Sequence, residues 1–300
     1  MSPNTAVRRL IRSRPFRDAA TSSGAVADFA RGYVAGFTVS ELVPVAEKLR
    51  GQGLLLSLAY QSAPGHEAAT FDQLVQALTA LGDGAAGTEL SVRPSALAPG
   101  SDAARASRLT ELCAVARGVG AVVTLEMERS EDYERTLRLW EGVRGDETTL
   151  GLTLPVDVRR AESDAQALAA TGARLRLCVG SYPVPRRRGY QSEQDKLLAL
   201  VRCLRAVMEG GGYAMLASHE PTIIAITQEL GRRSGLAPDA FEFQMYYGVR
   251  PLEQRRLVDI GYRSRAYLPF GPGWFDYLTH RVAARPRTIY SFLRAMQDKR

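Results

Sequence analysis

The fold is decided by residues 149–179. This stretch reads Thr149-Leu-Gly-Leu-Thr-Leu154, then a helical segment over residues 162–170, then Arg174-Leu-Arg-Leu-Cys-Val179. The two outer runs have the length and apolar content of buried strands. A strand, a helix and a second strand in this order are typical of a parallel βαβ unit. The stretch therefore predicts an α/β protein with a parallel sheet.

The same alternation continues outward in both directions. Strands are predicted at residues 54–60, 89–93, 121–127, 149–154, 174–179, 213–217, 241–247 and 265–270. Helices are predicted at residues 40–50, 71–81, 101–117, 132–143, 162–170, 192–209, 221–233, 252–260 and 274–284. About eight strands that alternate with helices predict a (β/α)8 barrel, and an open doubly wound sheet is the alternative.

The chain shows no internal repeat and no linker rich in Pro, Gly or Ser. We therefore expect one barrel domain over residues 31–300, preceded by an irregular or helical arm over residues 1–30. Ser40 is a suitable N-cap residue, so it is expected to begin the first helix of the barrel domain.

The composition is that of a soluble globular protein. Of the 300 residues, 45% are hydrophobic and 24% are charged, and the net charge is +7. No aromatic residues interleave with Lys and Arg in a nucleic-acid-binding pattern, so a nucleic-acid partner is not expected. The run Arg186-Arg187-Arg188 is interpreted as solvated arginines, with contact to an anionic membrane surface as the alternative.

The cysteines indicate a reducing compartment. Cys113, Cys178 and Cys203 are odd in number and widely spaced, which favours an intracellular protein without disulfides. No apolar run reaches the length of a transmembrane helix, and residues 1–20 lack the apolar core of a secretory signal. The expected location is the cytoplasm, with peripheral contact to the inner face of the membrane as a further option.

Polar side chains gather where the predicted strands end. If the strands form a barrel, these residues share the mouth at which barrel active sites lie. They are Tyr60, Arg93, Glu126, Glu128, Tyr182, Ser218, His219, Tyr246, Tyr247 and Tyr267. Arg93 and Glu126 end neighbouring strands, and we expect a charge pair there, either functional or structural.

The last predicted helix carries Tyr277 and Arg281 one turn apart. Side chains with this spacing share a helix face. An aromatic ring can cover a flat ring, and a guanidinium can bind a carboxylate. The helix therefore predicts a ligand-binding face.

Two other patterns do not predict a site. Residues 82–87 match G-x-G-x-x-G, but they follow a helix and precede a strand, which is the reverse of a dinucleotide-binding turn. His66, His219 and His280 are far apart in the chain and lack the spacing of zinc ligands, so no metal site is expected.

Seven segments, read together and in order, resemble the flavin-dependent proline dehydrogenase family over residues 30–290. Three of them resemble the family patterns S-V-K-x-S-A-L, D-M-E and R-L-V-K-G-A-Y, and three others resemble A-T-H-D, E-F-Q-M-L-x-G and Y-x-P-x-G…Y-L-x-R-R. The segments lie at residues 54–60, 90–97, 125–128, 176–182, 217–220, 241–248 and 267–281.

The resemblance implies a distorted (β/α)8 barrel that holds FAD, with the final helix over the barrel mouth. It assigns the cofactor to Arg176, Cys178, Gly180, Ser218 and His219. It assigns catalytic roles to Arg93, Glu126, Tyr267, Tyr277, His280 and Arg281, and the substrate pocket to Leu177 and Tyr182. Arg176 is expected near flavin N5, where a positive charge favours reduced flavin, and Leu177 is expected beneath the substrate.

This chain departs from the family at the substrate-binding positions. The family binds the substrate carboxylate with a Lys and two adjacent Arg, which read Arg93, His280 and Arg281 here. The Asp that partners the Lys is Glu126, and an acidic residue after the first strand is replaced in Gln61-Ser62. Lys and Arg differ in shape and hydrogen bonding, so a modified substrate is an alternative to proline.

The resemblance therefore implies an enzyme that oxidises proline or a proline-like secondary amino acid to the imine by hydride transfer to flavin N5. A quinone or another acceptor is expected to reoxidise the flavin. The alternatives are oxidation of a modified imino acid, an N-alkyl amino acid or a hydrazine in a specialised biosynthetic pathway, and a non-catalytic flavin-binding relative. A barrel lyase or aldolase is disfavoured, because no strand ends in a Lys that could form a Schiff base.

Overall fold

The computed structural model describes residues 23–145 and 149–284, except for the side chains of residues 282–284. Its parallel strands follow chain order around a closed barrel, in which β1 pairs with both β2 and β8. The strands are β1 (Leu55–Tyr60), β2 (Glu89–Val92), β3 (Val122–Leu125), β4 (Leu150–Pro155), β5 (Arg174–Cys178), β6 (Tyr213–Ala217), β7 (Glu242–Tyr246) and β8 (Arg263–Phe270). The barrel prediction is confirmed, and closure between β1 and β8 excludes the open sheet.

Helices connect successive strands and surround the barrel. They are α1 (Gly24–Ala30), α2 (Val39–Gly51), α3 (Thr70–Leu81), α4 (Pro94–Leu97), α5 (Asp102–Gly118), α6 (Tyr133–Arg144), α7 (Ala161–Ala169), α8 (Glu193–Glu209), α9 (Pro221–Arg233), α10 (Pro251–Asp259) and α11 (Trp274–Ala284). The helix α4 and the 3₁₀ turns at Glu67–Ala69 and Gly82–Ala85 were not predicted. Segments of three or four residues are too short to show a helical period.

Side-chain caps fix where several helices begin. The hydroxyls of Ser101 and Ser192 accept hydrogen bonds from backbone N–H groups at the starts of α5 and α8. Ser40 does not cap α2 as predicted. Thr38 does, because its backbone is extended and its hydroxyl accepts a 3.3 Å hydrogen bond from the N–H of Glu41.

The helix before the barrel packs on the helix after it. Apolar side chains from both form a cluster apart from the main core, made of Val26, Ala30, Val34, Trp274, Phe275 and Leu278. Phe37 stacks on Trp274 with ring centres 5.0 Å apart. This packing holds α11 in place after β8. The predicted arm lies outside the described residues as far as residue 22, so the domain division at residue 30 stays a prediction.

Within the described ranges, no helix combines the length and the apolar character needed to cross a membrane.

Candidate active site

Three side chains meet at the carboxyl ends of the strands. Tyr267 on β8 donates its hydroxyl hydrogen to Glu126, just after β3, over 2.8 Å. The ring of Tyr246, at the end of β7, lies edge-on to the ring of Tyr267, with centres 5.4 Å apart. All three side chains are partly exposed. Because barrel enzymes place their chemistry at this end, these residues mark the candidate active site.

The last helix brings a guanidinium to the same place. Arg281 donates from Nη1 to the hydroxyl of Tyr277 over 2.7 Å. The central carbon of the same guanidinium lies 3.4 Å from the centre of the Tyr246 ring. Tyr277 and Arg281 therefore share one helix face, as their spacing predicts. A guanidinium held in this way can bind a carboxylate.

Beneath the mouth, the barrel interior is polar. Arg176 is 5% exposed and forms an ion pair with Glu89. Its Nε donates to Gln244 over 2.6 Å, and its Nη1 donates to the hydroxyl of Ser91 over 2.7 Å. Ser91 donates in turn to Glu126 over 2.7 Å. One hydroxyl therefore connects the buried guanidinium to the carboxylate at the mouth.

A second ion pair lies deeper in the barrel. Arg265 donates to both carboxylate oxygens of Glu242, over 2.7 and 2.9 Å, and Gln244 donates to Glu242 over 2.5 Å. Burial by itself would raise the pKa of Glu89, but the guanidiniums of Arg176 and Arg265 lower it to about 2. Burial would likewise raise the pKa of Glu242, but the charge and hydrogen bonds of Arg265 lower it. Both carboxylates therefore stay ionised and hydrogen-bonded, as buried charges require.

His219 fixes the position of Tyr246. Its Nε2 accepts a hydrogen bond from the backbone N–H of Tyr246 over 3.0 Å, and the two rings stack with centres 5.2 Å apart. Arg250 donates to the carbonyl oxygen of His219 over 2.7 Å. The neighbouring Ser218 accepts a hydrogen bond from the N–H of Glu220, directly before α9. The contacts that Ser218 and His219 were predicted to make with a cofactor stay predictions.

Asp157 positions the turn after β5. Its Oδ1 accepts a hydrogen bond from the N–H of Gly180 over 2.9 Å, and burial raises its pKa. A Cβ atom at Gly180 would lie 2.7 Å from this oxygen, so only glycine fits without a shift.

Cys178 lies two residues earlier on β5. Burial raises the pKa of its thiol to about 12, so the thiol is neutral at pH 7.

One prediction about a pair of residues needs correction. The expected ion pair between Arg93 and Glu126 is not formed within the described residues, because Glu126 bonds to the hydroxyls of Ser91 and Tyr267. Leu177 is fully buried in the hydrophobic core. Its expected position beneath the substrate stays a prediction.

The other predicted site residues lie at the edge of the mouth. Tyr182 is 40% exposed, and burial of its phenol raises its pKa while the charge of nearby Arg93 opposes the shift. His280 has an exposed side chain beside Arg281 on α11. The roles proposed for these residues are not tested by the structure.

Sequence reasoning missed the interior network and the role of Tyr246. A signal for the network was present, because polar residues occupy alternate positions in Glu89-Leu-Ser-Val92 and in Glu242-Phe-Gln-Met245. This alternation indicates one polar face, and in a closed barrel that face is the interior. Asp157 had no comparable signal, since a single Asp after a strand fits many roles.

A closed β/α barrel whose mouth holds a guanidinium, a carboxylate and three phenols defines a (β/α)8-barrel enzyme. No family model matches the chain. Its sequence is 30% identical over 277 residues to proline dehydrogenase 1 of Bacillus subtilis (strain 168), which covers 90% of this chain and 91% of that protein. It is 25% identical over 279 residues to proline dehydrogenase of Deinococcus radiodurans, with 90% of each chain covered. The chain belongs to the proline dehydrogenase family, and it is an oxidoreductase that acts on CH–NH bonds.

Solved structures agree on the fold. Proline utilization A (PutA) from Bdellovibrio bacteriovorus, inactivated by N-propargylglycine, superposes with a TM-score of 0.80 at 20% identity. The match covers 94% of this chain and 35% of the PutA chain. PutA from Bradyrhizobium japonicum, in its D778Y mutant, gives a TM-score of 0.68 at 20% identity over 84% of this chain and 30% of that chain. This chain therefore spans about a third of each PutA protein.

Proposed function

We propose that this chain oxidises proline or a proline-like secondary amino acid to the corresponding imine, with FAD as the cofactor. The relatives named above are called proline dehydrogenases. The observation that carries the proposal is the position of Arg281, which lies at the barrel mouth between the Tyr277 hydroxyl and the Tyr246 ring. A guanidinium in this place favours an amino acid, because it can bind the carboxylate.

The residues at the mouth fit a flavin. The ring system of a flavin is flat and polar at its edge, so it needs aromatic contacts and hydrogen-bond donors. Tyr267 and Tyr277 supply aromatic surface, and Ser218 and His219 supply polar groups that are partly exposed. Arg176 supplies a positive charge beneath them, and its guanidinium lies 5.9 Å from the centre of the Tyr267 ring. Bound FAD would accept the hydride that the substrate loses.

In the proposed reaction, the substrate reacts as the neutral amine: it loses a hydride from the carbon next to nitrogen and then releases the nitrogen's proton to solvent, which leaves an imine. Arg281 holds the carboxylate and so limits the orientations of the ring. Tyr267 and Glu126 form a polar wall of the same mouth. A quinone is the proposed final electron acceptor.

Two observations favour a substrate that differs from proline. Arg93 and Glu126 do not pair, and the residue next to Arg281 is an exposed His280. The carboxylate therefore meets His280 where the family pattern has a second Arg, and Glu126, which bonds to Ser91 and Tyr267, does not hold Arg93 in place. A proline with a modified ring or an N-alkyl amino acid would keep the carboxylate and change the rest.

The test is anaerobic reduction of the FAD-loaded protein by a panel of carboxylated amines that includes proline. We expect at least one member to bleach the flavin. Arg281→Met should raise KM for that substrate. The expected rise corresponds to roughly 2–4 kcal/mol of binding free energy, because the pairing with the carboxylate is lost. Arg255→Met is the matched control, because Arg255 is exposed on α10 and pairs with Asp259. Protein that takes up no FAD, or an unchanged KM in Arg281→Met, would contradict the proposal.

A further inference from the structure

Three side chains from three different elements form one stack at the barrel mouth. His219 follows β6, Tyr246 ends β7, and Arg281 lies on α11. The imidazole and phenol rings are nearly parallel, at 12°, with centres 5.2 Å apart. The guanidinium carbon of Arg281 lies 3.4 Å from the centre of the phenol ring. We call these three residues the mouth stack.

Tyr246 is the fixed member of the mouth stack. His219 contacts Tyr246 in two ways. The two rings stack, and the backbone N–H of Tyr246 donates a hydrogen bond to Nε2 of His219. Tyr267 contacts the ring of Tyr246 edge-on at 90°. Gln254 donates to its carbonyl oxygen over 3.1 Å. A ring held from several sides is a rigid surface on which a flexible guanidinium can rest.

Stacking through the face leaves the edge of a guanidinium free. The N–H donors of Arg lie in the plane of the group, so an aromatic ring against the face does not use them. Among the described residues, the one hydrogen bond from Arg281 runs from Nη1 to Tyr277. The other donors of Arg281 remain for a carboxylate, which a guanidinium binds with two parallel hydrogen bonds.

We propose that Tyr246 is a positioning residue that orients Arg281 toward the substrate carboxylate, and that it thereby sets the preference for carboxylated over neutral ligands. The inference rests on the proposed function of this site. It gives Tyr246 an energetic role through Arg281, without contact to the reacting atoms. It also explains why His219 points at Tyr246.

The test measures binding of cyclopentanecarboxylate, which has the ring and the carboxylate but no oxidisable amine. Calorimetry on the FAD-loaded protein compares it with the neutral cyclopentanecarboxamide. We expect Tyr246→Leu to weaken the carboxylate by about 3- to 30-fold, the range of a cation–π contact, and to leave the carboxamide unchanged. Tyr246→Phe keeps the ring and should keep the wild-type affinity. A structural defect would instead weaken both ligands in both variants.

Three outcomes overturn the inference. The first is that the wild type does not bind the carboxylate. The second is that Tyr246→Leu binds the carboxylate as tightly as the wild type does. The third is that Tyr246→Leu binds it more tightly, which would mean that the phenol blocks the site. Failure of the proposed function looks different. In that case the wild type binds the carboxylate and Tyr246→Leu weakens this binding as expected, but no amine of the panel reduces the flavin.

Discussion

The guanidinium of Arg176 and the carboxylate of Glu89 form an ion pair inside the barrel, although the two residues are 87 positions apart in the chain. Ser57 and Thr124 also donate hydrogen bonds to this carboxylate, over 2.5 and 2.6 Å. Through Ser91, the same guanidinium is connected to the mouth. The interior thus carries charge where most barrels of this type carry branched apolar side chains.

Replacing Glu89 by Gln should destabilise the protein at neutral pH. It should also make the free energy of unfolding depend less on pH in the acid range. The pKa of Glu89 is lowered to about 2 in the folded protein, so its ionised form stabilises the fold at neutral pH. This stability is lost as the pH falls from the ordinary Glu range toward 2. At pH 7 the variant leaves Arg176 with only the more distant carboxylate of Glu126, 3.9 Å from its Nη1, and loss of the close pair costs up to about 3–5 kcal/mol. Urea unfolding at several pH values measures both effects.

Glu229 provides the matched control. Hydrogen bonds from Arg232 and Arg233 lower its pKa to about 2 as well, but it lies on the exposed surface of α9. Water and salt screen exposed pairs, so Glu229→Gln should lower the urea midpoint far less than Glu89→Gln does. Equal stability of Glu89→Gln and the wild type at pH 7 would show that the interior pair contributes nothing.

Removing the Ser91 hydroxyl should weaken both the fold and the reaction. The hydroxyl accepts from Arg176 and donates to Glu126, so Ser91→Ala leaves two polar groups short of a partner. Buried groups without partners cost about 1–3 kcal/mol. We also expect a lower kcat/KM, because Glu126 keeps only the hydrogen bond from Tyr267. Denaturation and steady-state kinetics check the two effects.

The control for this prediction is Ser163→Ala. The Ser163 hydroxyl donates to the carbonyl of Arg160 on the protein surface, where water can replace it. Wild-type stability in Ser91→Ala would mean that the connection between Arg176 and Glu126 carries no energy.

Adding one methyl group at Gly273 should displace the last helix. A Cβ there would lie 2.1 Å from the carbonyl oxygen of Ser62, and backbone atoms cannot move aside easily. The helix would carry Tyr277 and Arg281 with it, and displacements near 1 Å can cost on the order of 100-fold in rate. We therefore expect Gly273→Ala to lower kcat/KM by at least about tenfold, measured with the best substrate.

Gly142→Ala is the opposite case. Gly142 lies in the interior of α6, and a Cβ there would meet nothing within 4 Å. Alanine should stabilise the helix by about 0.5–1 kcal/mol and leave the kinetics unchanged. Full activity in Gly273→Ala would show that the contact with Ser62 does not place α11.

Local sequence patterns predicted the helices and strands well, because the residues that form each pattern lie within a single helix or strand. The bounds of α9, α11 and β6 agree with the predicted ranges, and Ser101 and Ser192 begin helices as expected. The shared face of Tyr277 and Arg281 follows from helical spacing alone. Two short 3₁₀ turns and α4 were missed, since three or four residues show no period.

The amino-acid sequence by itself determined the alternation of strands and helices, which favoured a barrel and left an open doubly wound sheet as the alternative. Its motifs also indicated the family. The pairing of β1 with β8 decided for the closed barrel. Only the tertiary structure decided which side chains meet. Arg176 contacts Gln244 across 68 positions, and Tyr246 lies against Arg281. These contacts depend on barrel closure and on strand register, which bring distant residues together and which no local pattern encodes.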